Sequence, residues 1–142
     1  MNLKIGELAE RAECQVVTVR YYEKEGLLKK PPRSEGGYRL YGEDDVERLK
    51  FIRHCRHHGM ALDEVKELLQ YRDAPDSDCA GVSELVDRHI DDVEAKIKSL
   101  NLLKKQLIRL RGKCPRNGAV AACGIMQGLD NPALCGCAPE AE

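Results

Sequence analysis

The sequence has no tryptophan and a single phenylalanine, and aromatic residues make up only 4% of it. So few large rings leave little with which to fill a big globular core. No apolar run is long enough for a secretory signal or a membrane span, so the expected location is cytoplasmic, with no membrane partner. Neither sign of charge is in excess: 23 Lys and Arg stand against 24 Asp and Glu, a formal net charge of −1. A global electrostatic attraction to nucleic acid is excluded, and any such binding must come from a local basic patch. No Cys-x-x-Cys motif and no credible Cys/His catalytic pair occur, so the chain is not expected to be an enzyme. Internal repeats are also missing.

What is present is charge and cysteine. Charged residues form 33% of the 142. That suits a small helical domain with an extension that buries surface against a second copy. Seven cysteines, an odd number, in a reducing compartment favour metal or redox chemistry over a disulfide framework.

Ile5, Leu8, Ala9 and Ala12 recur with helical spacing. A turn at 14–16 and a second helix over 17–25, closed by Gly26, make a helix-turn-helix candidate. Residues 28–41 read as a small wing. Pro31-Pro32 exclude helix, 34–37 form a hairpin turn signal, and alternation places Tyr38 and Leu40 on one face, Arg39 and Tyr41 on the other. A third helix starts after Gly42 with an acidic first turn, carries Val46, Leu49 and Ile52 inward and stops near Gly59. A fourth spans 62–72.

The head is therefore residues 1–72 and the polar, proline-broken stretch 73–78 a linker. A fifth helix over 79–111, with Asp78 as N-cap, carries Val86, Val93, Leu100 and Leu107 at heptad spacing. Ile90 and Ile97 widen this seam early, Leu103 and Leu110 late. About four such heptads predict a coiled-coil homodimer, parallel or antiparallel. A head this small cannot cover some forty ångströms of helix at about 1.5 Å per residue. Residues 112–142 form a loop containing Pro115 and Gly118, a short helical turn at Ile125-Met126 followed by Gly128, and a flexible tail with Cys135, Cys137 and Pro139.

Two sets of residues carry chemistry. Arg20, Tyr21 and Lys24 project from the second helix, and Lys29, Lys30, Arg33 and Arg39 gather on the wing. Arginine forks suit phosphates and guanine edges, and tyrosine hydroxyls suit phosphates. Tyr22 and Tyr38 serve equally well as core filler. The second set is Cys79, where the fifth helix begins, with Cys114 and Cys123 just beyond its end. Thiolates select soft or borderline ions: Zn(II), Cd(II), Hg(II), Pb(II) and Cu(I). The helix dipole at Cys79, and Lys113 and Arg116 beside Cys114, favour thiolate. In an antiparallel coiled coil, Cys79 of one protomer meets Cys114 and Cys123 of the other. Cys55 reads as core and Cys14 as structural. His54, His57 and His58 read as solvated or DNA-facing surface, and His89 as interfacial packing. Cys135 and Cys137 remain open as a further ligand or a second site.

Ile5-Gly6-Glu7-Leu8-Ala9, Thr18-Val19-Arg20-Tyr21-Tyr22-Glu23 and Gly37-Tyr38-Arg39-Leu40-Tyr41, in that order and spacing, resemble the MerR family of transcription regulators. The resemblance covers essentially the whole chain. It is strongest to the cadmium- and lead-sensing members, through Arg53-His54-Cys55-Arg56, Leu62-Asp63-Glu64-Val65, Asp87-x-His89-Ile90 and Cys123-Gly124-Ile125. It implies a mainly α fold: a winged helix-turn-helix head, a long antiparallel coiled-coil dimerisation helix and a C-terminal metal-binding loop. It implies a homodimer on double-stranded promoter DNA that distorts an overlong spacer for RNA polymerase when metal binds. Thr18, Arg20, Tyr21, Arg33, Tyr38, Arg39, Tyr41 and Arg56 would contact DNA, mainly its backbone. Cys79, Cys114 and Cys123 match the family's metal-binding positions.

Copper sensors of the family typically carry serine at the position of Cys79, so a cysteine there points to a divalent ion. Zinc usually takes four donors, so three thiolates favour Pb(II) or Cd(II), with Hg(II) or Zn(II) as alternatives. The family's iron–sulfur sensors place four cysteines in the final loop, where this chain has two, so a redox or thiol sensor is the weaker reading. A drug-binding regulator would need a larger C-terminal domain, and a plain metal-sequestering protein would not need the head. Ala61 replaces a frequent Ser or Thr cap, and Val16 and Val17 leave the second helix without an obvious side-chain cap.

Overall fold

The computed structural model describes residues 2–114 and 117–135. Pro115, Arg116, Cys137 and Pro139, singled out above, lie outside the described residues, as does the side chain of Cys135. The elements are helices throughout: α1 (Ile5–Arg11), α2 (Val16–Lys24), α3 (Glu43–His57), α4 (Leu62–Arg72), α5 (Ala80–Arg111), α6 (Gly124–Asp130) and α7 (Pro132–Cys135), with a 3-10 turn at Val120–Ala122. None is long and apolar enough to cross a membrane.

One compact unit runs to Val86. Its core joins Leu8 and Ala9 of α1, Val19 of α2, Val46, Leu49 and Ile52 of α3, and Val65 and Leu69 of α4. These are the helically spaced apolar residues of each segment, so the periodicity and the packing agree. The α1–α2 turn is tight enough to force Glu13 to a φ of 57°, and Gly26 ends α2 at a φ of 82°. Arginines of α3 tie down carbonyls that loops leave unpaired. Arg48 Nε donates to Leu27 O at 2.7 Å, and Arg53 Nη1 donates to Ala12 O at 2.7 Å. Arg48 also pairs with Asp73, which holds that carboxyl below its usual range. Gln15 is the N-cap of α2, and its side chain makes no capping hydrogen bond. Ala61 offers none either, but Glu64 Oε1 accepts the Ala61 amide at 2.9 Å, half of a capping box.

The wing differs from the predicted hairpin. No strand forms among the described residues; two isolated antiparallel bridges do, Leu3 with Tyr41 and Arg33 with Arg39. The turn itself is there: Ser34 N–H donates to Tyr38 O at 2.7 Å and Gly37 N–H to Ser34 O at 2.9 Å. Pro31 and Pro32 have no N–H to extend the ladder beyond Arg33.

Helix α5 is 32 residues long. Its N-cap falls one residue later than expected. The Cys79 carbonyl accepts the Ser83 amide at 3.1 Å, and the Asp78 carboxylate instead receives the Ala80 amide at 2.9 Å. Gly81 lies under the Tyr71 ring, and a Cβ there would make the Tyr71 hydroxyl end turn aside. Val82 and Leu85 pack on the head's core, so the first turns of α5 belong to the first unit.

A second unit begins at Asp87. Along α5, Val86, Ile90, Val93, Ile97, Leu100, Leu103 and Leu107 are all between 38% and 64% exposed, whereas Leu110, expected to extend this seam, is buried at 7%. Among the described residues beyond α5, the short turn expected at Ile125-Met126 is a seven-residue helix, α6, with α7 after it. Gly128 lies buried inside α6 and α7 packs on α6. Glycine weakens a helix but does not by itself end one.

Candidate nucleic-acid face and thiolate centre

Helix α2 turns Val19, Tyr22 and Glu23 into the core and leaves Val17, Arg20, Tyr21 and Lys24 outside. Beside it the wing closes a cleft of about 580 Å³ whose lining includes Lys4, Arg20, Lys30, Arg33, Tyr38 and Arg39. Five cations in one cleft form the local basic patch that a net charge of −1 requires. The cleft brings together five of the residues expected to touch DNA: Arg20, Arg33, Tyr38, Arg39 and, at its floor, Tyr41. Arg33 Nη1 donates to Gly37 O at 2.8 Å, which fixes the guanidinium along the turn. Among the described residues Arg39 Nε is buried with no hydrogen-bond partner, a donor left for an anion. Thr18 and Arg56 lie elsewhere, on a shallower groove with Gln15, Arg53 and His57. Arg56 also donates to Met60 O at 2.8 Å.

Tyr41 requires a correction. It was expected to contact DNA, but it is only 2% exposed and its hydroxyl donates to Glu23 Oε2 at 3.0 Å. Burial first, then the Glu23 hydrogen bond, pushes its phenol up to about 12. The residue forms the floor of the cleft, with its hydroxyl turned to Glu23. Alternation along the wing set Tyr38 apart from Arg39 and Tyr41, whereas all three line the one cleft, and it could not say how deep each would sit. Tyr41→Phe leaves the buried Glu23 carboxylate without that donor. It should lower unfolding stability by about 1–3 kcal/mol while leaving the salt dependence of DNA affinity unchanged. Chemical denaturation and binding at several salt concentrations check the two halves separately.

Lys4 was missed as part of this face. Its ammonium lies 4.5 Å from the centre of the Tyr38 ring. A lone lysine before the first helix gave no signal, because only the Leu3–Tyr41 bridge brings it to the wing.

The thiolate centre is built by the segment that follows α5. Cys123 stands at the start of α6, where the Met126 and Ile125 amides and the Cys114 thiol direct hydrogen bonds to it. These donors, the Met126 amide foremost, hold the Cys123 thiol below its usual range. A thiol so held stays ionised to lower pH, and protons displace a bound metal later as pH falls. Both side chains are partly exposed. Gly124 is what lets them meet: a Cβ there would strike the backbone carbonyl of Lys113, next to Cys114. Lys113 Nζ in turn donates to Leu134 O at 2.7 Å, tying α7 to the same loop. Cys79 is exposed at the opposite end of α5. Cys55 is buried and Cys14 half-buried against the head's core, and burial pushes both thiols up, the reverse of a metal ligand's need. His54 and His58 stack with ring centres 4.9 Å apart on the exposed end of α3.

A family model described as "MerR HTH family regulatory protein" matches residues 3–72, and one described as "MerR, DNA binding" matches residues 46–110. The chain is 35% identical to the mercuric resistance operon regulatory protein of Bacillus cereus, over 91% of this chain and 98% of that one. It is 39% identical to the HTH-type transcriptional regulator ZntR of Escherichia coli K12, over 92% and 94%. Among solved structures it superposes on the transcription regulator PbrR691 of Ralstonia metallidurans CH34, in complex with lead(II). That match has a TM-score of 0.80 and 48% identity, and covers 89% of this chain and 98% of that one.

Proposed function

The chain belongs to the MerR family of helix-turn-helix regulatory proteins, and from that premise we propose that it is a metal-responsive activator working as a homodimer on promoter DNA. Its effector is a soft divalent ion, lead(II) or cadmium(II), held by Cys79 of one protomer and by Cys114 and Cys123 of the other. The observation that carries this reading is the hydrogen-bonded Cys114–Cys123 pair, with its lowered thiol, at the far end of a 32-residue helix from Cys79. A helix of that length rises about 48 Å at 1.5 Å per residue. One ion therefore cannot reach both ends of the same helix, and Cys79 can join the pair only from a second chain. The exposed apolar stripe of α5 supplies the reason for two chains to meet. An antiparallel pairing along it makes two equivalent sites, each completed across the interface.

Lead(II) accepts three thiolates, and lead(II) is the ion named for the structural relative with 48% identity; the Bacillus cereus relative is named for mercury resistance. Metal binding closes the α6 segment on the partner's α5 and changes the angle between the two heads. A coupling of about 1–3 kcal/mol or more between metal and head geometry suffices to shift the promoter-bound state towards one that RNA polymerase can use. In the head, Arg20, Tyr21, Arg33, Tyr38 and Arg39 hold the backbone on the cleft side, and Thr18 and Arg56 hold it on the other groove. Part of the sequence preference then comes from how readily the spacer deforms.

A competitive titration of the reduced protein with Pb(II), Cd(II), Hg(II) and Zn(II), read by thiolate-to-metal charge-transfer absorption, tests the reading. One ion per protomer, with Pb(II) or Cd(II) displacing Zn(II), is expected. A preference for Zn(II) over both would replace the proposed effector.

A further inference from the structure

Val17 is 74% exposed, the most exposed of the large apolar residues in the chain's described part. It is the second residue of α2, and Arg20, Tyr21 and Lys24 follow it at i+3, i+4 and i+7, all of them exposed. These four residues are one face of the helix. Three of them are donors suited to DNA, and the fourth, nearest the N-terminus, is a valine that nothing in the head covers. Single exposed valines are common on protein surfaces and need no function in themselves. This one differs by position. In a helix-turn-helix the second helix enters the major groove, and its N-terminal residues come nearest the base edges. A β-branched residue is also a poor helix former, so local propensity does not favour it here.

We propose that Val17 reads thymine, packing its methyl groups against the thymine C5-methyl in the major groove of each half-site. The proposal rests on the reading of the chain as a DNA-binding regulator. The occupant follows from chemistry. The flanking Arg20 and Lys24 and the cations of the neighbouring cleft call for a polyanion, and the thymine methyl is the one apolar group that a DNA base presents in the major groove. Thr18, the next residue, is only half-exposed and turned towards the other groove. The basic residues position the helix, and Val17 adds discrimination they cannot supply, since phosphate contacts carry no sequence information.

The test uses the full-length protein with duplexes it selects from a randomised pool. Each thymine of a selected duplex is then replaced, one at a time, by uracil, which removes only the methyl group. The expected result is that one uracil position per half-site weakens binding about fourfold, the value of one buried methyl. In Val17→Ala, which withdraws both γ-methyls, the loss at that position should shrink, while losses at other positions stay as they were. Val17 is a surface residue, so the variant folds, and its unchanged affinity for the uracil duplex is the internal control. Uracil losses that are the same in both proteins, or missing from the wild type, overturn the assignment. Failure to select any sequence from the pool would overturn the regulator reading itself, a distinct outcome.

Discussion

Cys123→Ser should weaken lead(II) binding by about 10²-fold or more. Four-donor structural zinc sites gather roughly 10–16 kcal/mol of apparent binding energy. A single thiolate therefore carries about 3 kcal/mol, which is on the order of 10²-fold in affinity. Serine is the informative replacement because it preserves the local fold. Cys123 is the N-cap of α6, and a serine hydroxyl accepts the same first-turn amides. What is lost is the sulfur, whose softness lead(II) requires. Cys114→Ser should cost a similar amount, since the two thiols share one hydrogen bond. Competition against a chelator of known affinity measures both, with circular dichroism confirming that the helices remain. A loss under tenfold for either variant would place that cysteine outside the site.

The second large effect concerns α5. Val93→Asp combined with Leu100→Asp should convert the dimer to monomer, raising its dissociation constant by at least about 10⁴-fold. Val93 is 40% and Leu100 64% exposed in the single chain, so in the monomer these carboxylates meet water at little cost. In the paired state they would be stranded in an apolar interface, at several kcal/mol each unless neutralised. Sedimentation velocity reads the change directly. Metal affinity should fall with it, because an interprotomer site cannot outlast the interface. Lys98→Asp changes charge on α5 away from the heptad positions and should leave the dimer intact.

The helices of the head were legible because their apolar residues repeat at helical spacing and nothing competes with that pattern. Leu62, Val65, Leu68 and Leu69 mark α4, and its observed ends are those predicted. Charge and turn signals were less decisive. Asp78 is a good cap in isolation, yet the helix starts so that Cys79 takes that position and Asp78 bonds one amide along. The depth of Tyr41 depends on Glu23, eighteen residues away in sequence, and no local pattern announces such a pair. The stripe on α5 was legible as a seam, but Leu110 continues the spacing and is already buried, because periodicity marks a face and not its partner. For the thiolate centre, the spacing of Cys114 and Cys123 showed that they could meet. That Gly124 permits it, by leaving room for the Lys113 carbonyl, emerges only from the folded loop.

The central claim is that each metal site is shared between protomers, and a mixed dimer tests it most directly. One protomer carries Cys79→Ser, and the other carries Cys114→Ser with Cys123→Ser. Each variant alone, as a homodimer, should lack tight lead(II) binding. Mixed and allowed to exchange, they should form a dimer with one complete site, made from Cys79 of the second protomer and Cys114 and Cys123 of the first. The predicted result is recovery of wild-type affinity with one ion per dimer. If the mixed dimer binds no better than its parents, the three cysteines do not act across the interface, and the account of how metal joins the two heads is wrong.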